Sequence, residues 1–144
     1  MTPIQLAQAI QTHLRATPGL GVSAQNIVLG VDWESFAGEP ERFPAIAIAP
    51  AGGKITVHHS GDEAKVVQRV AVRLVHADTE AAHLSSPVQS LGEALMGWSL
   101  DPAKPRSNRL QLTGDIDVQP IGGYVETTLQ FEHLAIWRST HQGA

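Results

Sequence analysis

The stretch "YVETTLQFEHLAIWR", residues 124–138, decides the fold class. Val125, Thr127, Leu129, Phe131, His133, Ala135 and Trp137 alternate with Glu126, Thr128, Gln130, Glu132, Leu134, Ile136 and Arg138. That period of two, held from end to end, marks a β-strand with one apolar face and one partly wet face. Upstream, "KVVQRVAVRLVH" (65–76) repeats it: Val70, Val72 and Leu74 share a side with Gln68 and His76, while Val67, Arg69, Ala71, Arg73 and Val75 point away. "RLQLTGDIDVQPIGG" (109–123) alternates through Leu110 and Leu112, then Ile116 and Val118, with a turn or bulge at Gly114.

Nearer the start, "NIVLGVDW" (26–33) is short and β-branched, and "FPAIAIAP" (43–50) reads as a short strand bracketed by Pro44 and Pro50. "AGG" (51–53) is expected to turn the chain into "KITVHHS" (54–60), and "GDEA" (61–64) to turn it again into the 65–76 strand, giving a hairpin. Two helices complete the layout. In "TPIQLAQAIQTHLRA" (2–16) Thr2 caps, Pro3 takes the first position and Gln5 completes a capping box, with Ile4, Leu6, Ala7, Ile10 and Leu14 as the apolar face. "SPVQSLGEALMGW" (86–98) repeats the signal with Ser86 as cap, Pro87 first and Gln89 third; Val88, Leu91, Leu95 and Trp98 form its stripe, and Gly92 suits close packing on a sheet.

The order α-β-β-β-β-α-β-β predicts an α+β fold. Both helices should cover one face of a largely antiparallel or mixed sheet of five to six strands. The 144 residues suit one domain spanning the whole chain, with a frayed tail at 139–144.

Composition narrows the function. A net charge of -4 argues against sequence-specific or general nucleic-acid binding, which needs Lys and Arg to neutralise phosphates. The absence of cysteine removes disulfides, thiolate zinc sites and a cysteine nucleophile. The N-terminal stretch has no signal-peptide pattern, and no run is long and apolar enough to span a membrane, so no membrane partner is expected. Charged residues make up only 17% of the chain, a depletion shared with subunit interfaces.

No cofactor, metal or catalytic set emerges. His58 and His59, if on a strand, face opposite sides and cannot share a metal; His13, His76, His83, His133 and His141 are scattered and read as surface or loop histidines. Ser60 beside His59 is an adjacency in sequence only, and Asp62-Glu63 at a hairpin tip reads as solvated charge. Neither a G-x-x-x-x-G-K-[ST] loop nor a G-x-G-x-x-G turn occurs. Two stretches look like contact surfaces instead. Lys104, Arg106 and Arg109 cluster in a Pro-containing loop, as a partner contact or as plain solvated charge. Trp33, Phe36 and Phe43 gather in "DWESFAGEPERF" (32–43), where aromatics either serve an interface or, for Trp33 and Phe43, end strands in the core.

The layout as a whole resembles the small tail-terminator, or minor tail completion, proteins of long-tailed bacteriophages, including those of Mu-like prophages. The resemblance lies in the order and texture of "TPIQLAQAIQTHLRA", "NIVLGVDW", "FPAIAIAP", "VVQRVAVRLVHAD", "SPVQSLGEALMGW" and "YVETTLQFEHLAIW", and spans nearly the full length. It implies a structural, non-enzymatic role. Such subunits form a homo-oligomeric ring, typically a hexamer, on the head-proximal end of the tail tube, where they stop tube growth and meet the head–tail connector. Localisation would be the virion tail, assembled in the host cytoplasm. On that footing the contact surface would include Trp33, Phe36, Phe43, His58, His59, Asp62, Glu63, Lys104, Arg106 and Arg109, and the 54–76 hairpin is either an arm or a simple internal pair. Two rivals stand beside it: a neck or head-completion protein of the same virion, and a small histidine-dependent metal-binding or hydrolytic domain.

Overall fold

A computed structural model describes residues 1–32, 43–77, 85–101, 103, 109–121 and 123–141. Helix α1 runs Pro3–Arg15 and α2 Ser85–Leu95; strands are β1 Ile27–Leu29, β2 Ala45–Val57, β3 Glu63–Ala77, β4 Leu110–Ile121 and β5 Tyr124–Arg138. They form one sheet in the order β1-β2-β3-β5-β4, with β1 parallel to β2 and every other pairing antiparallel. The α+β class, the two helices and the mixed sheet agree with the sequence reading.

The capping box of α1 forms as its residues dictate. Thr2 Oγ1 accepts from the Gln5 N–H at 3.2 Å, and Gln5 Oε1 accepts from the Thr2 N–H at 2.8 Å, satisfying two donors that the first turn leaves open. Leu6, Ala7, Ile10 and Leu14 are buried, whereas Ile4, assigned to the same face, is exposed. α2 begins at Ser85, so Pro87 falls third in its first turn, a position where a missing N–H costs nothing. Gln89 therefore does not close a capping box; its Nε2 donates to Glu93 Oε1 one turn on. Leu91 and Leu95 enter the core beside α1, Ile46, Ile48, Val70, Leu74 and Phe131, with Val88 and Trp98 half-buried at its margin. Both helices thus cover one face. His13 joins them: its ring stacks on Trp98 at 4.1 Å and Nε2 lies 3.0 Å from the Ala94 carbonyl. A Cβ on Gly92 would meet Leu129 Cδ1 at 3.8 Å, an ordinary contact, so the helix–sheet distance there does not require glycine.

The principal correction concerns 43–60. "FPAIAIAP" and "KITVHHS" are not two strands joined by a turn but one strand, β2, carrying a bulge where the register with β3 shifts between Pro50 and Gly53. Pro50 sits inside the strand, opposite Val70, at the bulge that tolerates its missing N–H. The sheet therefore has five described strands, within the five to six expected, because two of the strands read separately are one. Gly114 marks a second bulge, between Thr113 and Asp117 of β4, and takes a positive φ of 71°.

Beyond the bulge, β2 from Gly53 to Val57 and β3 from Glu63 to Gln68 leave the helical layer and, with β5 to Arg138, make a three-stranded arm. On β2 every residue from Pro50 to Val57 is exposed. Just past β5, the Ser139 N–H donates to the Asp62 carbonyl at 2.8 Å. A smaller cluster of Val28, Ala45 and Ala47, with Phe43 against it, lies apart from the main core.

Candidate functional site: the strand arm and the β4 groove

At the tip of the arm the strand ends at Val57, so His58 and His59 belong to the connecting turn and not to β2. Their rings consequently do not point to opposite faces; they lie 4.2 Å apart, tilted by 37°. His58 N–H donates to the Glu63 carbonyl and Gly61 N–H to the His58 carbonyl, both at 2.8 Å, which closes the turn. His58 Nδ1 lies 2.9 Å from Ser60 Oγ, and the Ser60 hydroxyl donates to Asp62 Oδ1.

This order of groups has a chemical meaning. A serine nucleophile needs the imidazole between the hydroxyl and the carboxylate, so that the imidazole takes the proton. Here the serine stands between the two and donates its hydroxyl hydrogen bond to the carboxylate, in a fully exposed turn. The donated bond from Ser60, aided by the nearby His58, holds the Asp62 carboxyl below its ordinary value. Ser60→Ala should move that titration back up toward an unperturbed aspartate, read by NMR of the Asp62 carboxyl carbon; an unchanged midpoint would remove Ser60 as the cause.

The remaining sequence-designated residues divide. Phe43 is half-buried, packed on the Val28–Ala45–Ala47 cluster and tilted against Tyr124 at 4.7 Å, so it ends a strand in a packed site. Glu63 pairs with Arg138 at 3.5 Å across β3 and β5. Arg109 is exposed at the entry to β4, bridging to Ser99. Trp33, Phe36, Lys104 and Arg106, with His83, lie outside the described residues. The structure therefore brings together His58, His59, Asp62 and Glu63 and leaves Phe43 and Arg109 at other places. Two histidines read as surface or loop residues are instead buried: His76 and His133 lie on the core face of β3 and β5.

Two apolar surfaces escaped the sequence reading. On the arm, Ile55, Val57 and Trp137 share the side toward which the helices lie, because Ile55 is opposite Val66, Val57 opposite Ala64 and Trp137 opposite Ala64. Val57 is 61% exposed and Ile55 57%. Between α2 and β4 a groove of about 340 Å³ is lined by Val88, Gly92, Met96, Leu112, Ile116 and Leu129, with Glu93 as its one ionisable side chain. Ile116 there is 61% exposed. Alternation signalled these residues as strand residues; what it could not signal is that the helices stop short of them. Both are clusters of large apolar side chains left exposed on the folded surface.

Among the described residues no helix is long and apolar enough to cross a membrane. No family model matches the chain, and no curated protein matches it by sequence. A solved structure does. The fold is shared with a chain from the virion of a native gene transfer agent particle, at a TM-score of 0.65 and 14% sequence identity, covering 92% of this chain and 95% of that one. The likeness covers nearly the whole of each chain and is one of fold.

Proposed function

We propose that this chain is a structural subunit of a phage-like virion, and within that class a tail terminator: a protein that assembles with itself on the head-proximal end of a tail tube, ends tube growth and offers a surface to the head connector. It performs no catalytic step and holds no cofactor. The observation that carries the virion-subunit reading is the likeness of fold, over 92% of this chain, to a chain of a virion particle. The arm and groove support it, since a subunit built to assemble must expose apolar surface before it does so. The tip chemistry weighs against the hydrolytic alternative, because the Ser60 hydroxyl donates to Asp62 and is not poised for attack.

The test is polymerisation of the tail-tube protein encoded in the same genome, followed by light scattering and electron microscopy. Substoichiometric amounts of this chain should stop elongation and appear as density at one tube end. Tubes of unaltered length and bare ends at both termini would overturn the tail-terminator role.

A further inference from the structure

The arm and the groove have a second property in common: each borders an unpaired strand edge. β1 pairs only with Ile46–Ile48, so the outer edge of β2 from Gly53 to Val57 has no strand beside it among the described residues. β4 is the last strand on the opposite side of the sheet; its edge is bonded at Leu110 to Gly97 and Trp98 and has no strand beside it beyond that point among the described residues. Open edges with apolar side chains invite another strand.

The two edges match on both faces. On the helix side, Ile55 and Val57 of the arm correspond to Leu112 and Ile116 of β4. On the other side the arm edge carries Lys54, which has no ion-pair partner among the described residues, and β4 carries Asp117. Strand direction agrees too: β2 runs with β5 and β4 runs against it, so β2 and β4 are antiparallel.

We propose that the β4 edge and its groove receive the arm of a second copy of this chain, joined as antiparallel strands in one continuous sheet. Placed side by side with the same face up, two copies set apolar residues against apolar ones and Lys54 beside Asp117. The alternatives are disfavoured: arm against arm would bring the two Lys54 side chains together, and β4 against β4 would do the same for Asp117. The interface is therefore heterologous, the kind that closes into a ring by rotation. Ile55 stands level with Ala135 and the β4 bulge level with Leu129, six residues along β5, roughly 20 Å at the strand rise. A closed ring must then incline its strands to the axis, as staggered strands do in a barrel. This inference rests on the assembly reading above and names the surfaces it uses.

The chain has no cysteine, which makes the test direct. The double variant Val57→Cys/Ile116→Cys, treated with a short bismaleimide, should give a ladder of linked subunits ending at one closed size, whereas either single variant should stay unlinked. In parallel, Val57→Glu and Ile116→Glu, both at exposed positions and checked for folding by circular dichroism, should each be monomeric in native mass spectrometry. Mixed in equal amounts they should form dimers and nothing larger, because only one intact edge pair survives. If the wild-type chain self-associates but the double variant does not link, or links no better than the single ones, this interface is wrong and the assembly reading stands. A wild-type chain that stays monomeric at all concentrations, alone and with tubes, overturns both.

Discussion

Replacing Gly53 by alanine is expected to lower stability by about 2–3 kcal/mol, the cost of forcing a side chain into a packed site with no room. A Cβ built at Gly53 runs into the Val67 carbonyl oxygen and stands 3.3 Å from Gln68 Cα. Both obstacles are backbone of the neighbouring strand, so no rotamer change relieves them. Either β2 moves off β3 beyond the bulge or the β3 backbone bends, and the pairs Lys54–Val67 through Val57–Ala64 are strained or lost. Urea unfolding should show the fall in midpoint, and amide hydrogen exchange should show protection lost chiefly at residues 54–57 and 64–67. A loss under about 0.5 kcal/mol with arm protection intact would mean that the bulge tolerates a Cβ by a shift the contact does not reveal. Because the arm is the proposed contact between copies, the same variant should also link less well in the cysteine experiment.

His133→Leu is expected to raise stability at neutral pH by about 1–3 kcal/mol, the range for removing a buried polar group that lacks partners. His133 is 3% exposed on the core face of β5, and neither ring nitrogen has a hydrogen-bond partner among the described residues. It faces Gln68 across the β3–β5 pairing, where Gln68 Nε2 donates to the Met1 carbonyl but Oε1 is likewise unpartnered. Asp101 lines the cavity it borders. Burial, and secondarily the positive N-terminal amine, push the His133 pKa below its ordinary value. The sign follows from proton uptake: below about pH 6.5 an unfolded histidine binds a proton that the folded one refuses. Stability should therefore drop as pH falls through that value and level off once the folded state also protonates. Denaturation at pH 7.5 and 5.5 should show the wild type losing more stability over this interval than His133→Leu. Equal losses would show that His133 is not the group responsible, and a destabilised variant at pH 7.5 would mean the imidazole is satisfied in solution.

How much of this was legible in the sequence follows from the range over which each signal acts. The α1 cap was readable in full, since Thr2, Pro3 and Gln5 bond within one turn and need nothing from the rest of the chain. The faces of β3 and β5 were readable because alternation is a property of the extended backbone itself. "AGG" was not. Glycines at 52 and 53 are equally compatible with a tight turn and with a bulge, and what chooses the bulge is the presence of β3 alongside, from Val66 to Val70, to hold both halves of β2. The His58–His59 reading failed for a related reason: the strand ends at Val57, short of both histidines, where the turn closes on Glu63.

The candidate site was half legible. Asp62, Glu63 and the two histidines were rightly set together at a hairpin tip, because neighbours in a short turn stay neighbours in space. The apolar half was hidden, since Ile55, Val57, Leu112 and Ile116 carry the same alternation as the buried Val70 and Leu129. Local chemistry, acting over a few bonds, determined which segments are helices and strands and which side of each is apolar. Only the tertiary structure decided which apolar sides are covered, because two helices of 13 and 11 residues span less of the sheet than strands of up to 15, and the overhang stays open.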